Sequence, residues 1–151
     1  MTDCTIRNIE YLDFGKVKLL EKAPKFLFKA HELAYNFIND KHYSLTALLA
    51  YNNRKLGEGF NNYDTTHPMQ LKFSNRGENR QFIHAEIHVL TKTRNIPVGS
   101  KLYIARPKCD KSWGNSRPCA GCMVALAKNN VSHTIYVHSN KFIEEDIRQY
   151  R

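Results

Sequence analysis

Cysteine is scarce: the 151-residue chain has four, a poor basis for a disulfide scaffold. That scarcity fits a reduced compartment, where a close cysteine pair means metal or redox chemistry more often than a covalent staple. No apolar run approaches the roughly 18 residues that a membrane span needs, so no spanning helix and no membrane partner are expected. The first residues, MTDCTIRNIEYLDFGK, lack a basic stretch followed by an apolar one, so a secretory signal is not expected and a cytoplasmic location is. Internal repeats, low-complexity segments and linkers rich in Gly, Pro or Ser are also missing, which predicts one domain over residues 1–151. Acidic residues are the last shortage. There are 14 Asp and Glu against 23 Lys and Arg, a formal net charge of +9.

The remaining composition, 42% apolar and 25% charged, is that of a globular domain. Spacings of three and four predict a helix over 24–40, with Phe26, Ala30, Leu33, Ala34, Phe37 and Ile38 on one face. Phe26, Phe28 and Phe37 are read as core. Leu45–Tyr51 and Leu56–Phe60 flank the polar Asn52-Asn53-Arg54-Lys55, a hairpin signature. Residues 61–82 read as a long irregular loop, and loops of that length in small domains are often functional. A helix follows over about 83–95, then a strand at 102–105 and a second irregular segment at 106–117. The next helix covers 118–130, with Pro118 accommodated in its first turn, and a strand covers 134–137. The tail from Asn140 is compatible with a short helix or a final strand. From residue 45 the order is β-β-α-β-α-β. It predicts an α/β fold, a three-layer α/β/α sandwich around a mixed central sheet.

Two motifs carry chemistry: His84-Ala85-Glu86 and Pro118-Cys119-Ala120-Gly121-Cys122. Cysteines three apart at a helix start turn their thiols to the same side. The positive end of that helix favours the thiolate that a metal binds. His84, at the start of the other helix, adds an imidazole. Two Cys and one His make three protein ligands and leave a fourth zinc position open for water. Zinc lowers the pKa of that water toward about 7. Glu86, two residues beyond His84, is placed to take its proton and pass it to a substrate. The alternative is a closed zinc knot or an inert thiol pair. A knot would take its fourth ligand from Cys109 or His88, and it would leave Glu86 without a role. Cys109 otherwise reads as a free loop thiol and Cys4 as structural or incidental.

The paired motifs resemble the cytidine and deoxycytidylate deaminase superfamily, whose zinc signature they match. The resemblance spans roughly residues 45–138, including the order of elements. It implies a cytidine-deaminase-like fold and a zinc-dependent hydrolase that converts cytosine to uracil in a nucleoside or nucleotide, dCMP being favoured. It further implies zinc on His84, Cys119 and Cys122, with Glu86 as the catalytic residue. Gly59-Phe60-Asn61 fits a Gly-x-Asn segment of that family, which places Asn61 against the sugar or phosphate. Ala85, His88 and Arg117 are the other candidate substrate contacts, His88 as a lining residue. Asn61 and the neighbouring Asn62 are by default ordinary turn residues.

Two departures stand out. Twelve residues, Arg106 to Arg117, separate the third strand from the Pro-Cys motif, and His88 occupies a position where nucleotide-type relatives often carry Asn. Together with Thr66-His67-Pro68 and a long basic loop, the pattern resembles a branch often encoded by phages, acting in the host cytoplasm.

Charge is uneven. Residues 1–40 are neutral overall. Lys101, Arg106, Lys108, Lys111 and Arg117 face Asp110 alone, a local excess of +4 just before the second motif. A solvated face is the ordinary explanation; beside a deaminase pocket such a run attracts phosphate. Trp113 in this segment is either a packing anchor or a base-stacking platform. The alternatives to a free nucleotide are cytosine within single-stranded DNA or RNA, adenine deamination, and a non-catalytic zinc-stabilised nucleic-acid binder. A homo-oligomer is compatible with each of these.

Overall fold

The computed structural model describes residues 16–38, 44–64, 67–73 and 83–151. Cys4, Thr66 and the 74–82 stretch of the expected long loop lie outside the described residues. The elements are β1 (Val17–Leu20), α1 (Lys25–Tyr35), β2 (Thr46–Tyr51), β3 (Arg54–Phe60), α2 (Pro68–Phe73), α3 (Ala85–Lys92), β4 (Ser100–Pro107), β5 (Trp113–Gly114), α4 (Ala120–Lys128), β6 (Val131–His138) and β7 (Lys141–Asp146). A 3-10 turn, Arg148–Tyr150, follows β7. No described helix is long and apolar enough to cross a membrane.

The strands form one mixed sheet in the order β1-β7-β6-β4-β2-β3, with β5 pairing β4 at its end. Tight turns explain the antiparallel pairs. Asn52 and Asn53 both take positive φ, 48° and 62°, between β2 and β3, the backbone that a two-residue hairpin with the strands' own twist demands. Ser139 and Asn140 do the same between β6 and β7. Among the described residues, β4 and β6 form the parallel pair, joined through α4. The β3–α3–β4 connection steps over β2 in the same direction along the sheet. Right-handed crossovers with a common direction put both helices on one face. α1, between β1 and β2, covers the other.

The strands read accordingly. On β2, Ala47 and Leu49 face α3 and α4 together with Leu102 and Ile104 of β4. Leu48 and Ala50 face α1 with Ala105. This alternation with period two divides the core into two layers either side of the sheet. The expected three-layer arrangement is therefore the observed one.

Several expectations change in detail. α1 ends at Tyr35, and its buried side is Leu27, Ala30, His31 and Ala34. Phe28 and Phe37 are not core, being 55% and 60% exposed. Only Phe26 of the three packs inward, edge-on to Tyr103. Two stripes of this helix satisfy the same spacing. Ala30 and Ala34 belong to both, and the helix is turned so that Leu27 and His31, rather than Leu33 and Phe37, join them against the sheet.

The loop expected over 61–82 contains α2. The irregular 106–117 segment turns back as β5 against Arg106 and Pro107. β1, four residues long at the sheet edge, has no counterpart among the expected elements. The tail is a strand, β7, which pairs with both β1 and β6.

Candidate metal centre and catalytic site

Two helix starts meet at one point. His84 is the N-cap of α3 and Cys119 the N-cap of α4, both with extended backbones. Pro118 directly precedes Cys119, has no N–H to satisfy and biases Arg117 toward extended backbone, so the chain turns into α4 at the cysteine. Cys119 Sγ accepts the Cys122 backbone N–H at 3.4 Å, an N-capping bond that fixes the first thiol over the first turn.

The ligand atoms of His84, Cys119 and Cys122 lie within 4.8 Å of one another. His84 Nδ1 is 3.3 Å from Cys122 Sγ and 3.8 Å from Cys119 Sγ. Tetrahedral zinc, with bonds of about 2.0–2.3 Å, spaces its ligand atoms by roughly 3.3–3.8 Å, so the separations and the donor set both fit that metal. Both cysteines are buried and His84 is half-buried. Neither His88 nor Cys109 belongs to the cluster. Cys109 is exposed in the turn between β4 and β5. A closed knot completed by either residue is therefore not the observed arrangement.

Glu86 sits in the first turn of α3, 1% exposed, and its Oε2 has no hydrogen-bond partner among the described residues. A buried carboxylate oxygen without a partner costs folding free energy, so its presence points to chemistry rather than stability. Burial raises its carboxyl above the ordinary range and Cys119 adds to this, while His84 and a hydrogen bond from Cys122 oppose it. A buried carboxyl beside three metal-ligating atoms is placed for proton transfer.

The surroundings are built from elements the motifs do not contain. The His84 backbone N–H donates to Gln70 Oε1 of α2 at 2.9 Å, so a buried glutamine holds the ligand-bearing turn. Sequence reasoning misses Gln70, because a single glutamine in a polar stretch carries no signal. The end of β3 is tied to α3 twice. The Asn62 N–H donates to Ile83 O at 3.0 Å, and the Phe60 N–H donates to His88 Nδ1 at 2.9 Å. Burial, then Lys92, lowers the His88 imidazole below its usual value, which keeps Nδ1 an acceptor.

Asn61 Oδ1 accepts the Leu45 N–H at 2.9 Å, which aligns the Gly-x-Asn segment with the start of β2. Ala85 is buried against Gly59. A Cβ at Gly59 would lie 2.4 Å from Val89 N and 2.7 Å from Ala85 O, so only glycine allows strand and helix this close.

The basic segment does not act as one patch. Lys101 pairs with Glu144 at 3.0 Å. Arg117 is buried and gives Nε and Nη2 to Glu145. Lys108 and Lys111 remain exposed in the β4–β5 turn, Lys111 with its amine 5.0 Å from the Tyr35 ring centre. Trp113 is the packing anchor of its loop, against His31, Phe28 and Phe142.

Comparison with known proteins agrees with this geometry. The family model described as "Cytidine and deoxycytidylate deaminase zinc-binding region" matches residues 20–138. A search of curated proteins finds no match. Among solved structures, a dCMP deaminase from the cyanophage S-TIM5 in apo form is 21% identical, with a TM-score of 0.46 over 75% of this chain and 82% of the other. The same enzyme in complex with dCMP and dUMP is 22% identical, with a TM-score of 0.48 over 72% and 75%. Acinetobacter baumannii RibD is 22% identical, with a TM-score of 0.42 over 72% of this chain but 25% of that one. The family match is the finding that carries weight.

Proposed function

The chain belongs to the cytidine and deoxycytidylate deaminase family, and from that premise we propose that it deaminates cytosine in a free nucleotide, dCMP, to give the uracil nucleotide and ammonia. It is a zinc-dependent deaminase, with His84, Cys119 and Cys122 as the residues that hold the metal. When bound there, zinc supplies a Lewis acid that makes a water molecule nucleophilic at neutral pH.

The protein's own residues supply the rest. Glu86 takes the two protons of the attacking water in turn through Oε2, the atom with no partner among the described residues, and delivers one to the ring nitrogen N3 and one to the amino group, which leaves as ammonia. Asn61 contacts the sugar or phosphate from the end of β3. Ala85 lines the floor between ligand and acid. His88 acts through the Phe60 N–H, setting where the Asn61 segment sits relative to α3. Arg117, committed to Glu145, is not assigned a substrate contact.

The single observation that carries this reading is the buried, unpartnered Glu86 oxygen beside a three-ligand cluster. Partnering of Lys101 and Arg117 with glutamates leaves few exposed cations in this segment, which fits one phosphate better than a strand of them. The test is to incubate the purified protein with dCMP, deoxycytidine and a cytosine-containing single strand and to measure uracil in each. Turnover of dCMP above the other two is expected. Turnover confined to the strand would replace this reading with a polynucleotide one.

A further inference from the structure

We propose that Arg117, Glu145 and Tyr136 form a clamp that holds the Cys119 ligand in its metal-binding position, so that the last strand of the sheet's C-terminal hairpin is part of the zinc site. The proposal rests on the zinc-site reading above. Glu145 Oε1 accepts from Arg117 Nε at 3.0 Å and from Tyr136 OH at 2.7 Å, and Oε2 accepts from Arg117 Nη2 at 3.1 Å. The geometry is a bidentate guanidinium–carboxylate fork with a third donor added. Arg117, Glu145 and Tyr136 are 9%, 2% and 0% exposed.

Position in the chain turns this triad toward the metal. Arg117 is followed by Pro118 and then Cys119. Proline fixes its own φ and restricts the residue before it. There is little torsional slack between the guanidinium and the first cysteine, and a shift at Arg117 is passed to the ligand. The preceding residue is fixed as well. Ser116 Oγ donates to Ile104 O at 2.9 Å and accepts the Val137 N–H at 3.0 Å, and the Ser116 N–H donates to Val137 O at 2.9 Å. Ser116 therefore ties the ligand-bearing segment to β4 and β6, and Arg117 ties it to β7.

A buried ion pair is weak support for a stability role, because apolar residues of similar volume do as well or better. Orientation is what a bidentate pair provides and an apolar contact does not. Glu145 also lies beyond residue 138, where the family match ends. Residues that orient metal ligands from outside typically change metal affinity by about 10–100-fold when altered.

The test measures zinc release from the intact, zinc-loaded protein to an excess of a chelating dye, alongside thermal unfolding. Glu145→Gln is expected to release zinc at least about tenfold faster than wild type, with Tyr136→Phe in between. Leu27→Ala, a cavity on the α1 face, lowers stability without touching the ligand segment and is expected to release zinc at the wild-type rate. Wild-type release rates in Glu145→Gln, or equal acceleration in Leu27→Ala, would overturn the clamp. If Glu145→Gln does not fold, Tyr136→Phe decides, and an unchanged rate in that variant overturns it. A wild-type protein that carries no zinc would remove the metal site itself, a failure distinct from that of the clamp.

Discussion

The backbone N–H of His84 points at Gln70 Oε1 across 2.9 Å, linking a metal-ligating residue to a buried side chain fourteen positions earlier. His84 is an N-cap residue, so its N–H lies ahead of the α3 hydrogen-bond ladder and needs an acceptor from elsewhere. Gln70→Leu removes that acceptor, at a cost of about 1–3 kcal/mol. A lowered denaturant midpoint and weaker zinc retention are expected. A variant matching wild type in both would show that Gln70 does not hold the turn.

Gly59 makes a sharper steric prediction. Gly59→Ala would press a methyl group into the backbone of α3 at Val89 and Ala85, and backbone cannot rotate away. Overpacking of this kind costs about 1–3 kcal/mol, and here it also pushes the helix carrying Glu86 off the strand that leads to Asn61. Urea unfolding reads the first effect and dCMP turnover the second. Wild-type values for both would contradict the close packing.

The zinc chemistry is readable from the sequence because its residues are near neighbours. Two cysteines three apart and a glutamate two after a histidine point, without any fold, to three candidate ligands, which the fold brings within 4.8 Å of one another, and to a candidate acid. The three-layer arrangement follows from the alternation of helices and strands. What escapes such a reading is set by partners far along the chain or by shape. Arg117 reads as part of a phosphate-attracting run, but its partner Glu145 is 28 positions away and buried with it. Phe37 reads as core from its spacing with Phe26, Ala30 and Ala34, but the helix is rotated so that Leu27 and His31 join the two alanines against the sheet, leaving Phe28 and Phe37 outside. β1 is a four-residue edge strand paired with β7, and four residues give too little alternation to read.

pH dependence follows from His31, packed against Trp113 at 4.0 Å between ring centres. Burial holds its imidazole below the ordinary value of 6.5, against the opposing effects of the Ser112 carbonyl and Glu32. The folded state therefore binds this proton less readily than the unfolded state. Its contribution to stability is complete above about pH 6.5 and is lost as pH falls from there through the lower pKa of the folded protein. His31→Phe should flatten the decline in thermal midpoint between about pH 7 and pH 5, leaving the part due to His88, His133 and His138, which burial also lowers. An unchanged pH profile would contradict this.

Lys108 and Lys111 distinguish the substrate classes. Replacing both with Ala should raise the KM for dCMP by about tenfold if either holds the phosphate, since one charge-assisted bond disappears, and leave deoxycytidine almost unaffected. For a strand substrate, the same change would instead flatten the salt dependence of binding by about one unit for each phosphate no longer neutralised. Steady-state kinetics at several salt concentrations separate the two outcomes.

The central claim is that Glu86 moves protons beside zinc without holding it. The most direct measurement is zinc content and dCMP turnover on one preparation of Glu86→Ala. About one zinc per chain is expected, as in wild type, because the carboxylate is not among the ligands. Turnover should fall by at least about 10²–10⁴-fold. Turnover near the wild-type rate, with zinc in place, would contradict the account.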